Sequence, residues 1–328
     1  MGPKGILRGR NLESCAAALL SLACAACAAP LWENTPTATA PNQQLCSEQL
    51  GQDYRSIAFI LNARSDRPVS GLALVPDRPG TYPLIGFSHG AFAAPDRYLA
   101  MLGPLAGSGF VIVSPMHIDS EEMVPRQQPD EETLWRTRNE DLSLALTPPQ
   151  ELTDQLAGIG IAIDEVRKIA MGHSFGAVMA QFAGGAEPLG DPTSIGVAAN
   201  PQIDAIVAWS PPKNLPGRTD DSSWTKLAVP SLTITGTTDL LPGFVDDWTL
   251  RKAAYENAPQ GTAELWVGSD IDHYFGGAFG REKPVDANSQ NLFDRAMIQS
   301  LNFIQRTGPS GEPCNIGTMI DGEFYETR

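Results

Sequence analysis

Histidine is scarce in this chain. There are four in 328 residues, His89, His117, His173 and His273, so chemistry that needs an imidazole base has only four candidates. Cysteine is nearly as rare, and three of the five, Cys15, Cys24 and Cys27, fall within the first thirty residues. That count, in a chain this long, excludes a small disulfide-framework domain. Basic residues are also few: 23 Lys and Arg stand against 38 Asp and Glu, a net charge of −15. An acidic surface repels phosphate backbones and argues against nucleic acid as a partner. Charged residues make up 19% and hydrophobic ones 42%, too apolar a mixture for an intrinsically disordered chain. No internal repeat is present. No cluster of His, Cys or carboxylates has the spacing of metal ligands, and neither a metal nor an organic cofactor is expected.

The N-terminus has its own composition. Lys4, Arg8 and Arg10 precede an apolar run from Cys15 to Ala29 that ends at Pro30. Positive charge, a short greasy stretch and small residues at the cleavage point make an export signal over residues 1–29. The run is shorter than the ~20 residues that span a bilayer. Two outcomes stay open. One is plain secretion to the periplasm or beyond. The other is a lipoprotein, with Ala25-Ala26-Cys27 as the box and a lipid on Cys27 as a membrane tether. Residues 30–49, rich in Pro, Thr, Ala, Asn and Gln, form a tether rather than core. Outside the signal only Cys46 and Cys314 remain. In an oxidising compartment they read as one disulfide pinning the tail, residues 311–328, to the body; two free buried thiols are the alternative.

Between residues 50 and 310 strand-like runs alternate with helical patterns. The strand candidates are Ser56–Leu61, Gly71–Val75, Pro83–Ser88, Phe110–Ser114, Lys168–Gly172, Ala205–Trp209, Pro230–Thr235 and Ala263–Val267. Several are almost continuously apolar, as strands covered on both faces are. Helical spacing links Tyr98, Leu102 and Leu105, then Phe175, Val178, Met179 and Phe182, then Phe293, Met297, Leu301 and Ile304. The pattern predicts one α/β domain: a mainly parallel, doubly wound sheet with helices on both faces. In such a sheet the chemistry sits just past the carboxyl ends of the strands.

One strand end stands out. Gly172-His173-Ser174-Phe175-Gly176 lies between an apolar strand and an amphipathic helix, the context in which G-x-S-x-G forms a nucleophile elbow. The competing reading is an ordinary strand-to-helix turn with Ser174 as helix cap. A nucleophilic serine needs a base, and the base needs an orienting acid. For this elbow the chain order is Ser, then Asp or Glu, then His. Only His273 follows Ser174. For the acid, Asp239 closes the strand-like Pro230–Thr235 segment, while Asp246, Asp247, Asp270 and Asp272 compete. Asp246 and Asp247 suit the first turn of a helix, and Asp270 and Asp272 suit the shaping of the histidine loop. The oxyanion donors are expected to be the backbone N–H of Phe175 and that of Ala91 after Ser88-His89-Gly90, with Phe92 as the alternative. His89 and His117 read as structural. Phe92, Trp209 and Tyr274 are candidate pocket walls.

The stretches Phe87-Ser-His-Gly90, Gly172-His-Ser-Phe-Gly176, Thr235-Gly-Thr-Thr-Asp239 and Asp272-His-Tyr-Phe-Gly276 resemble the α/β-hydrolase superfamily. The resemblance is to the bacterial branch that groups with platelet-activating-factor acetylhydrolases and predicted dienelactone hydrolases. It implies a Ser174, Asp239, His273 triad and an oxyanion hole from Ala91 and Phe175. Together with the export signal, the expectation is a secreted serine esterase acting on carboxylic esters without a cofactor. Dienelactone hydrolases proper use a Cys nucleophile where this chain has Ser174. A peptidase or acyltransferase could use the same triad, and a non-catalytic binding protein could use the same fold. The Ser210–Val229 segment is too short for a large helical cap, so an open cleft is expected, suited to small esters, polyesters or phospholipids alike. The acidic stretch from Ile118 to Gln150 is a candidate cover for the entrance.

Overall fold

The computed structural model describes residues 50–62, 67–280, 285–307, 319 and 321–328. The export signal, the Cys27 box, the tether, Cys46 and Cys314 lie outside the described residues.

Nine strands make one sheet. They are β1 (Tyr54–Leu61), β2 (Val69–Pro76), β3 (Gly80–Ser88), β4 (Val111–Pro115), β5 (Ile161–His173), β6 (Ile203–Trp209), β7 (Ser231–Thr238), β8 (Ala263–Asp272) and β9 (Glu323–Thr327). Their order is β1-β2-β4-β3-β5-β6-β7-β8-β9. The pairings from β4 through β3, β5, β6 and β7 to β8 are all parallel. The antiparallel pairs lie at the margins, β1 on β2, β2 on β4, and β9 on β8. The central strands read as continuous apolar runs because alternate residues enter different cores. Val111, Val113, Ala170, Ile206 and Ala208 face one helical layer. Ile112, Ile169, Met171, Val207 and Trp209 face the other.

Helices α1 (Leu99–Gly107) and α6 (Ala287–Thr307) cover the second of these faces. On the first lie α2 (Glu131–Leu146), α3 (Gln150–Ala157), α4 (Phe175–Ala183) and α5 (Ala253–Asn257). The three apolar faces expected from periodicity fall on α1 with its preceding turn, on α4 and on α6.

Two segments carry elements that the periodicity did not show. The Ile118–Gln150 stretch is not simply a cover, because residues 131–146 of it form α2, which buries Trp135, Leu142, Ala145 and Leu146 against the sheet. Its inward face also carries Arg138, Asn139 and Asp141, and those polar residues mask the apolar period. The end of the tail is part of the sheet: β9 pairs with β8 from Glu323 to Thr327. The Ser210–Val229 segment holds only a short 3-10 turn, Asp221–Trp224, and no helical cap.

Candidate active site

Because β5, β6, β7 and β8 run parallel, their carboxyl ends share one rim. Ser174 follows β5, Asp239 follows β7, and His273 follows β8.

Ser174 sits at φ 52°, ψ −118°, a sparsely populated conformation for a non-glycine residue. The fold over-determines it. Its N–H donates to the Trp209 carbonyl at 2.9 Å, and its carbonyl accepts from Ala177 N–H at 2.9 Å. The two flanking glycines are required by close backbone packing. A Cβ on Gly172 would lie 2.2 Å from the Gly176 carbonyl oxygen, and one on Gly176 would lie 1.9 Å from that of Ser88. The Ser174 side chain makes no cap bond to the helix. Its Oγ lies 3.1 Å from His273 Nε2 instead, which the cap reading does not account for.

His273 Nδ1 lies 2.7 Å from Asp239 Oδ1. Asp239 is fully buried. Thr235 Oγ1 donates to its Oδ2 at 2.8 Å, and Arg251 Nε sits 2.7 Å from both its Oδ1 and its carbonyl oxygen. Three of the four rival carboxylates are engaged elsewhere. Asp246 accepts from Gly243 N–H, and Asp247 caps the 3-10 turn Trp248–Lys252 through Thr249 N–H. Asp272 holds the histidine loop through Tyr274 N–H and Gly276 N–H. With Nδ1–H directed at Asp239, Nε2 is free to accept the Ser174 proton.

A second chain of hydrogen bonds backs this one. Gly90 N–H donates to the Tyr98 hydroxyl at 3.0 Å. That hydroxyl therefore donates to His173 Nδ1 at 2.9 Å, and His173 Nε2–H donates to the His273 carbonyl at 2.9 Å. The assignment requires a neutral His173. Burial, then the nearby His273, pull its pKa well below the usual imidazole value.

Among the described residues neither Ala91 N–H nor Phe175 N–H has an acceptor. Both residues line a cavity of about 440 Å³ that opens onto Ser174 and His273. That size lies within the range of small-molecule sites. Phe92 is corrected as a donor: its N–H is committed to Asp119 Oδ2 at 3.1 Å. Its ring, 60% exposed, does line the cavity, as does Tyr274. Trp209 does not. Strand alternation sends its fully buried ring into the core, 4.7 Å from the Phe275 ring and 5.9 Å from that of Phe293. Its contribution to the site is the carbonyl that receives Ser174 N–H.

His89 and His117 are buried outside the cavity. His89 Nδ1 donates to the Gly90 carbonyl at 2.8 Å, and its Nε2 accepts from His117 N–H at 3.0 Å. His117 bridges Ser88 Oγ and Asp141. The remaining cavity walls, Trp135, Leu215, Leu241, Phe244 and Phe279, escaped sequence reasoning. An apolar residue on a loop gives no signal of the direction in which it points, and on α2 the polar inward residues hide the face that carries Trp135. A second cavity of about 410 Å³, between α2 and the 193–200 segment, contains none of the three relay residues.

No family model matches the chain, and no curated protein does. Solved structures do. One is a protein of Klebsiella pneumoniae subsp. pneumoniae described as a dienelactone hydrolase, 18% identical, with 76% of this chain and 98% of that one covered at a TM-score of 0.50. The fold is that of the α/β-hydrolases. In all, 905 solved chains match. A scaffold that recurs this widely does not fix the chemistry, which has to be argued from the site.

Proposed function

We propose that the chain is an exported serine hydrolase that cleaves uncharged carboxylic esters through an acyl-enzyme. The observation that carries the reading is the continuous relay from Ser174 Oγ through His273 to Asp239, at 3.1 and 2.7 Å. Ser174 Oγ attacks the ester carbonyl as His273 Nε2 takes its proton. Asp239 holds the imidazole in the required tautomer and favours the imidazolium. The carbonyl oxygen gains negative charge and is received by Ala91 N–H and Phe175 N–H, each such donor being worth about 3–4 kcal/mol. The imidazolium then protonates the leaving alkoxide. Water, activated by the same imidazole, releases the acid.

The choice of an uncharged substrate follows from the lining. Phe92, Trp135, Leu241, Phe244 and Phe279 present apolar surface, and among the described residues that face the cavity there is no Asp, Glu, Lys or Arg. A charged acyl group would lose its hydration there without a partner. Export rests on the composition of residues 1–29.

The test is hydrolysis of a series of p-nitrophenyl esters by the wild type and by Ser174→Ala. The expected result is turnover of neutral short and medium acyl esters, much slower turnover of an acyl chain ending in a carboxylate, and none by Ser174→Ala. Equal rates for the charged and neutral esters would contradict the substrate class. Turnover that survives in Ser174→Ala would contradict the mechanism. Anilides in the same assay separate an esterase from a peptidase, and added alcohol separates hydrolysis from acyl transfer.

A further inference from the structure

The loop carrying Ala91 is held by a buried ion pair. Arg138, on α2, is fully buried, and Asp119 is 6% exposed. They pair in bidentate fashion, Nε to Oδ1 at 2.9 Å and Nη2 to Oδ2 at 2.8 Å. Ion pairs of this kind are poor stabilisers, because the desolvation cost offsets the attraction and an apolar replacement is often as stable. The atoms of this pair, however, do something apolar side chains cannot. Arg138 Nη1 donates to the His89 carbonyl at 2.7 Å, and Nη2 to the Gly90 carbonyl at 3.0 Å. On the acidic side, Asp119 Oδ2 accepts Phe92 N–H at 3.1 Å.

These contacts fix the peptide on each side of Ala91. In a trans peptide the C=O and N–H point in opposite directions. Anchoring the Gly90 carbonyl on Arg138 therefore turns Ala91 N–H away from the guanidinium. Anchoring Phe92 N–H on Asp119 takes the next donor out of competition and holds Phe92 at φ 63°, a conformation that a non-glycine residue does not adopt without support. The same guanidinium lies 4.6 Å from the centre of the Phe175 ring, so it packs on one residue of the proposed oxyanion hole and holds the carbonyl of the residue before the other.

We propose that Arg138 and Asp119 are positioning residues that aim Ala91 N–H at the developing oxyanion. The inference rests on the hydrolase reading above. Neither side chain lines the cavity. They act through the main chain of residues 89–92. A lysine at 138 has a single point charge and cannot span a carboxylate and two carbonyls as the planar fork does. Misplacing one donor by about 1 Å is enough to cost on the order of 10²-fold in rate.

The experiment compares wild type, Ser174→Ala, Arg138→Lys and the near-isosteric Asp119→Asn on one neutral ester. It reads kcat and KM per active site titrated with a fluorophosphonate, together with inhibition by a trifluoromethyl ketone, whose hemiketal oxygen occupies the hole. Arg138→Lys is expected to lose about 10–10²-fold in kcat with KM within about twofold, and Asp119→Asn about threefold to tenfold. The inhibition constant should rise in step with the loss in kcat/KM. A merely structural role would lower the titrated fraction and leave kcat per site and the inhibition constant unchanged. That outcome in either variant overturns the proposal, and Asp119→Asn decides it if Arg138→Lys does not fold. If wild type and Ser174→Ala are both inactive, the hydrolase reading has failed instead.

Discussion

Acidification should destabilise this protein well before its carboxylates titrate. His89, His117 and His173 are 0%, 0% and 2% exposed. Burial, as the main cause, holds each well below the usual imidazole pKa, aided by His117 and Arg138 around His89, Arg138 around His117, and His273 around His173. In the unfolded chain a histidine titrates near 6.5. A group whose folded pKa is depressed by burial leaves the unfolded state holding more protons below that value, so stability rises with pH and is lost as pH falls. At pH 5.5 each unfolded histidine gains about 1.4 kcal/mol that the folded, neutral one does not. Three of them make about 4 kcal/mol between pH 8 and pH 5.5, set against a typical total of 5–15 kcal/mol. Asp119 is silent in this window. Burial works against its charge, but Arg138 and its hydrogen bonds outweigh that and hold the carboxyl below the usual range, so its contribution is lost only below about pH 4. Glu264, which burial pushes up against the pull of Arg306, acts in the opposite sense and trims the total. Urea denaturation at pH 8, 6.5 and 5.5 measures the effect directly. His89→Gln should remove about a third of the slope whatever its absolute stability. A stability that is flat from pH 8 to 5.5 would refute the assignment of these three rings as buried and neutral.

Three further perturbations test the site. Gly176→Ala puts a Cβ 1.9 Å from the Ser88 carbonyl oxygen; the strand or the helix must move, and a thermal melt should show a loss of at least about 3 kcal/mol. Asp239→Asn should leave the fold intact and lower kcat by about 10⁴-fold, because the imidazole loses its enforced tautomer. Arg251→Ala removes the buried cation beside Asp239 and the Nη1 donor to the Ser210 and Pro211 carbonyls, each at 3.0 Å. It should cost about 3–5 kcal/mol in chemical denaturation, the usual penalty for breaking a buried pair.

The parts of this molecule that the amino-acid order made visible are those that follow a short-range rule. The inner strands are apolar because both faces are covered, and the elbow is marked by two glycines whose Cβ positions are occupied by backbone. With one histidine after Ser174, chain order left no choice of base. What stayed hidden depends on long-range packing. Arg138 is an ordinary-looking residue on a polar stretch, and nothing in EETLWRTRNEDLSLAL says that its guanidinium is buried beside Asp119. Arg251 looks like a basic residue in the last turn of a short helix, the position where cations usually complement the dipole in solvent. His173 fills a position that the elbow motif leaves open, yet its ring ties Tyr98 to the His273 carbonyl. Trp209 was misjudged for a related reason. A strand end points alternately to the core and to the rim, and sequence alone does not say which parity reaches the cavity.

The central claim is that Ser174 is a nucleophile activated by His273. The most direct measurement is peptide mapping of the protein after exposure to a fluorophosphonate. A single adduct on Ser174, slowed by orders of magnitude in His273→Gln, is the predicted result. No adduct, or one on another serine that persists in Ser174→Ala, would contradict the account.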